Sequence, residues 1–334
     1  MKKNPNFKYK YVITKTNIEY GANDIFDIFT SHKDKIQYII SPNKDNQIDI
    51  FRLIDNRKIL SLKGHKNNIM TIRYFINNKD SNEYLISGDN DKIVIIWDIT
   101  NNYEIKYKIK TNYGKRNFIF SCLIIFPHNS KNNYIIISSS NSSEDLEKSS
   151  TKIYSLNNGK YIRYIDNTNI NINYLLSWCN KKNEKYYIIH FCYYNEIIIN
   201  NLIENELYAK LKTESYSNTY GFIYNINNNE YLCSSSEEGI INIIDLCNKK
   251  IVEIVNIVKG DIRSMIEWNN KYIICADCKN KSIIIIDLVQ KKVISQIKGD
   301  NIGEIKGIKK LYHPIYGEAL LTGGGEGIIK LWVI

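Results

Sequence analysis

The sequence predicts an all-β protein made of seven four-stranded antiparallel units. Alanine stands only at Ala22, Ala209, Ala276 and Ala319 in 334 residues, while Ile, Tyr, Asn and Lys dominate. That composition disfavours helices and favours strands joined by polar turns. One strand-turn-strand frame recurs along the whole chain, and the segments between its copies alternate apolar and basic residues as half-exposed strands do.

In the frame, a Tyr opens an apolar strand, a Ser or Thr follows three residues later, and a second apolar strand ends thirteen residues after the Tyr. Residues 84–98 give the clearest copy, with Tyr84, Ser87, Asp91, Trp97 and Asp98. Residues 38–51, 231–244 and 319–332 keep the same register, with Ser41, Ser234 and Thr322 at the hydroxyl position. Three copies are degenerate. Residues 187–200 carry His190 at that position, residues 272–286 are one longer, and residues 134–154 hold an insertion at about 138–150 that is expected to project as a mobile loop. The second strands end at Phe51, Trp97, Tyr154, Asn200, Ile244, Ile286 and Trp332, a spacing of about 47 residues that leaves room for two more strands per unit.

One of these precedes the Tyr, as in 69–75, 118–126, 172–178 and 262–268. The other follows the Trp position. In residues 103–110, Ile105, Tyr107 and Ile109 alternate with Lys106, Lys108 and Lys110, the pattern of an outer strand. No outer strand follows Trp332, whereas residues 7–15 form an orphan strand ahead of the first unit. The N-terminus is therefore expected to complete the last unit and close the ring. Closure costs on the order of 5 kcal/mol, which burial of three or four of Tyr9, Tyr11, Val12 and Ile13 would offset.

Seven such units describe a radial β-propeller spanning residues 1–334 as one domain. The residues resemble the WD-repeat family of seven-bladed β-propellers. Gly64-His65, Ser87, Asp91 and Trp97-Asp98 match that family's Gly-His and Trp-Asp signature in relative spacing. The resemblance implies a buried hydrogen-bond relay of His65, Ser87, Asp91 and Trp97 that ties three strands of a blade together. Gly-His and Trp-Asp each occur once, so the other six blades depart from the pattern. The resemblance also implies a role as a non-catalytic scaffold or adaptor for protein partners in a larger assembly.

Other features narrow the function. The longest apolar stretch, residues 118–126, is about half the ~18 residues a membrane span needs. The N-terminal lysines are followed by no apolar segment of a secretory signal, and the seven cysteines are scattered without framework spacing. A cytoplasmic or nuclear protein with reduced thiols is expected. Cys275 and Cys278 form a lone CxxC without further zinc ligands, and Cys275 falls at the hydroxyl position. The glycines of 323–327 belong to a hairpin turn rather than to a phosphate loop before a helix. His128 and His313, each beside a proline, read as surface turn residues. No catalytic constellation, metal site or cofactor is expected.

What remains is the face of the ring where turns converge. Candidates for partner binding are Lys66, Tyr113, Lys115, Arg116, Tyr216, Asp261 and Arg263 from turns between units, and Asp89, Asn90, Phe191, Tyr193, Tyr194, Glu237 and Asp277 from turns within them. The alternative reading is an RNA- or ribonucleoprotein-associated propeller that uses the net charge of +10, with five basic residues in 106–116. Lysines on outer strands also guard sheet edges, which favours the scaffold reading.

Overall fold

A computed structural model describes residues 5, 7–15, 26–111, 117–128, 130–141, 150–165, 171–256, 260–298, 304–324 and 327–333. Its first strand, β1 (Lys8–Lys15), stands apart from its sequence neighbours. The first blade holds β2 (Asp27–Thr30), β3 (Gln37–Pro42), β4 (Ile48–Arg52) and β5 (Arg57–Leu62). The second holds β6 (Ile69–Ile76), β7 (Glu83–Asp89), β8 (Ile93–Asp98) and β9 (Glu104–Lys110). The third is β10 (Asn117–Ile125), β11 (Tyr134–Asn141), β12 (Thr151–Ser155) and β13 (Tyr161–Ile165). The fourth is β14 (Ile172–Cys179), β15 (Tyr186–Cys192), β16 (Glu196–Asn201) and β17 (Leu207–Lys212). The fifth is β18 (Asn218–Ile226), β19 (Asn229–Ser236), β20 (Ile240–Asp245) and β21 (Lys250–Asn256). The sixth is β22 (Ile262–Trp268), β23 (Tyr272–Asp277), β24 (Ser282–Asp287) and β25 (Lys292–Lys298). The last holds β26 (Ile305–His313), β27 (Gly317–Gly324) and β28 (Ile328–Val333), completed by β1.

In the first six blades the strands run in chain order from the axis outward, and in the last the order is β26, β27, β28 and then β1, every neighbour antiparallel. The inner strands β2, β6, β10, β14, β18, β22 and β26 touch in succession, and β26 returns to β2. The ring is closed. Blade by blade, the apolar runs explain the layering. The third strand of the sixth blade, Ser282–Asp287, is buried throughout because both of its faces pack on other blades. The outer strand of that blade is only partly buried and carries Lys292 and Lys298.

Closure follows the expected pairing. In the β1–β28 ladder Lys8 stands opposite Val333 and Lys15 opposite Ile328. The anchoring side chains differ from those expected: Tyr9 is exposed, and the deeply buried residue is Phe7, just outside the strand. Phe7 meets Trp268 of the sixth blade edge to face at 4.9 Å, while Tyr9 leans on Trp332 at 5.6 Å. The N-terminus thus grips two blades rather than one.

Two further expectations need correction. Ser138 and Ser139 are buried within β11, so the inserted stretch starts later, and residues 142–149 lie outside the described residues. His313 is no surface residue. It ends β26 fully buried, its Nδ1 accepting the Ile315 N–H at 3.1 Å, while His128 is exposed against Tyr186. Cys275 is buried in β23 opposite Ile284, at the hydroxyl position as expected.

Candidate functional site

The signature residues of the second blade come together. His65 sits in the turn between β5 and β6, held close to Trp97 because Gly64 has no side chain; a Cβ there would meet the Trp97 ring at 2.8 Å. The His65 Nδ1 lies 2.7 Å from Asp89 Oδ2, its Nε2 lies 2.6 Å from Ser87 Oγ, and Trp97 Nε1 donates to Ser87 Oγ at 3.0 Å. Asp89 is the acid of this relay, not Asp91. Residues two apart in a strand share a face, so Asp89 points with Ser87 toward His65, whereas Asp91 lies exposed in the hairpin turn and accepts from Asn67 at 2.9 Å. Asp89 also accepts the Ile93 N–H at 2.9 Å, fixing that turn.

A Ser-His-Asp chain in this order looks like a hydrolytic triad. Here Ser87, Asp89 and the His65 side chain are shut off from solvent, and the serine hydroxyl already accepts the Trp97 N–H. The arrangement ties the β5–β6 turn to β7 and β8. Other blades keep fragments of it. Trp332 donates to Thr322 Oγ1 at 2.8 Å in the last blade. In the sixth, Asp277 takes the place of Asp89 and accepts the backbone N–H groups of Asp261 and Asn280 at 3.2 and 3.1 Å. Asp89 could have been read from the sequence by its spacing of two from the hydroxyl residue.

The expected partner face divides into four groups. Asp89, Phe191 and Asp277 are fully buried and offer nothing to a partner. The two acids cap turns, and Phe191 packs in the core against Gly221, where a Cβ would meet its ring at 2.3 Å. Each of the three lies at or next to the end of a second strand that stays buried to its last residue, so it belongs to the core. Tyr113, Lys115 and Arg116 lie outside the described residues. Lys66 is exposed and Asn90 half-buried, both in the second blade's turns.

The remaining six gather over blades four to six. Tyr193 pairs across to Ser217 in an isolated bridge, which brings the β15–β16 turn against the β17–β18 turn. Tyr216 then stands edge to face with Tyr194, centroids 5.3 Å apart, and with Tyr193 at 6.5 Å. Tyr194 and Tyr216 are 51% and 54% exposed. Next to them Arg263 bonds Asp261 through Nε at 2.8 Å and Glu237 through Nη1 at 3.1 Å. Burial holds the Asp261 carboxyl above the usual carboxylate range, against the opposing pull of Arg263. Burial likewise raises the Tyr193 hydroxyl, with Glu237 adding to the effect.

The backbone under this patch is strained. Tyr194 and Asn195, in the three-residue connection between β15 and β16, have φ of 61° and 66°, both in the left-handed region. Asn tolerates it; a tyrosine at the first position costs about 1–2 kcal/mol. The turn holds an aromatic ring up to solvent where glycine or asparagine would be relaxed.

Among the described residues, no group of three or more His, Cys, Asp and Glu side chains could hold a metal, and no helix is long and apolar enough to cross a membrane. A ring of seven four-stranded blades with a buried His-Ser-Asp-Trp relay defines a β-propeller with a structural repeat signature. Residues 56–98 match the family model described as WD domain, G-beta repeat, and this match together with the seven-bladed ring supports a WD-repeat propeller. No curated protein matches the chain. Propellers of this family generally serve as scaffolds for protein interactions and are typically non-catalytic.

Proposed function

We propose that this propeller is a non-catalytic adaptor subunit of a multi-subunit assembly and that it engages a protein partner through the turns of blades four to six. The observation that carries the reading is the exposed pair Tyr194 and Tyr216, which the turns of blades four and five present beside the Arg263 ion-pair network. Aromatic rings and arginine supply most binding energy at protein interfaces, and Tyr194 and Tyr216 are each more than half exposed beside Arg263. A reducing compartment, cytoplasm or nucleus, is supported by the seven cysteines, all of them free thiols.

The test is affinity purification of the full chain at moderate salt, alongside Tyr194→Asn and Tyr216→Ala variants. Loss of the same proteins from both variants, with no fall in melting temperature, is the expected result. Undiminished co-purification would remove this face from the reading. Retention of RNA with a steep fall in affinity as salt rises would replace it with the nucleic-acid alternative.

A further inference from the structure

A propeller exposes the outer strand of every blade, and each is a sheet edge able to pair with another chain. Lysine guards six of the seven here. Lys10 marks β1, Lys58 β5, Lys108 β9, Lys210 β17, Lys250 β21 and Lys292 β25. The outer strand of the third blade, β13, reads Tyr-Ile-Arg-Tyr-Ile and has no lysine. Tyr161, Ile162 and Tyr164 on it are 51%, 46% and 57% exposed. Its single charge, Arg163, turns aside to the backbone carbonyls of Leu202 and Ile203 in the next blade.

We propose that β13 is a docking edge, which an extended acidic segment of a protein partner joins as a fifth strand of the third blade. Two arguments choose that occupant. The charges within the β12–β13 hairpin, residues 150–165, are Lys152, Lys160 and Arg163, all basic, with Asp166 following directly after the edge strand. An acidic segment complements it, whereas a second copy would bring together two chains of net charge +10. Five residues of edge also make a ladder only about 17 Å long, short for the roughly 1,200 Å² of a stable dimer. A single extended segment needs less, since backbone hydrogen bonds supply affinity and alternate apolar side chains pack on the exposed Tyr and Ile. This edge lies on the rim, so the proposal stands apart from the loop face over blades four to six.

The probe is a fluorescein-labelled seven-residue peptide of alternating Val and Thr flanked by Glu, titrated into the full chain by fluorescence anisotropy. Binding should fall at least tenfold when Ile162→Lys and Tyr164→Lys give β13 the guard of the other rims, and when Pro replaces the peptide's central Val. Amide exchange at residues 161–165 should slow with peptide bound. An unchanged melting temperature establishes that the double variant folds; Tyr164→Lys alone serves if it does not. No binding at millimolar peptide, equal binding of the Pro peptide, or indifference to the lysines would overturn the proposal. A wild-type dimer in sedimentation that the lysines abolish would overturn the choice of occupant in favour of a second copy.

Discussion

Arg73 of the second blade lies over the ring of Tyr174 in the fourth, its guanidinium carbon 4.5 Å from the ring centroid. It also donates to the Tyr174 hydroxyl, to the Leu175 carbonyl at 2.9 Å and to the Cys122 carbonyl at 3.4 Å. One side chain on an inner strand therefore joins three consecutive blades. Arg73→Met should lower stability by about 2 kcal/mol by leaving buried carbonyls without a donor. Arg73→Lys should recover only part of that, since an ammonium cannot match the fork of a guanidinium. Urea midpoints of the two variants and wild type give the comparison, and equal midpoints would deny Arg73 this bracing role.

The relay makes a sharper distinction between two neighbouring acids. Asp89→Asn removes the charged partner of His65 and should cost about 2 kcal/mol, while Asp91→Asn, at an exposed turn, should stay within about 0.5 kcal/mol. Equal losses in thermal melts would return the acid role to Asp91.

Closure can be tested at Phe7. Phe7→Ala should destabilise by about 3 kcal/mol through lost burial against Trp268, and deletion of residues 1–16 should give an aggregating or far less stable protein. A truncated form with the wild-type melting temperature would contradict closure by β1.

Acid should weaken the fourth blade. His190, fully enclosed, has its imidazole pushed down to about 4 by burial, and its Nε2 has no hydrogen-bond partner among the described residues. The folded state keeps the ring neutral while the unfolded chain takes up a proton near pH 6.5. Its contribution is therefore complete above pH 6.5 and drains away as pH falls toward 4, reaching about 3 kcal/mol. His190→Leu should flatten the loss of melting temperature between pH 7 and pH 4.5; an unchanged slope would locate acid lability elsewhere.

At the loop face, stability and binding should move in opposite directions. Tyr194→Asn relieves the left-handed strain and should raise stability by about 1 kcal/mol while partner retention drops. A variant both less stable and fully competent in binding would refute the link.

The repeat frame made the blades legible because a hydroxyl three residues into a strand and an aromatic or aliphatic end at a fixed distance mark one strand pair each time. Orphan residues 7–15, an apolar-basic strand ahead of the first unit, disclosed closure for the same reason. Side-chain destinations were harder to read. Asp89 and Asp277 end strands, and Phe191 stands one residue before the end of its own, that still lie within the core, and a linear reading of turns cannot see that depth. The anchoring role of Phe7 leaves no local signal, because its contact, Trp268, lies 261 positions along the chain. Arg73 left one signal, a lone arginine in an apolar inner strand, which only its neighbours across the ring explain. The meeting of Tyr194 with Tyr216 depends on the bridge between Tyr193 and Ser217, a contact between two blades.

The ladder that seals the ring has a mechanical consequence. Because Lys8 faces Val333, opposing forces applied at those two residues would load a single rung at a time and unzip β1 rather than shear it. A tether at these points should open the circle at low tension in an optical trap, while pulling from two interior blades should meet far higher resistance.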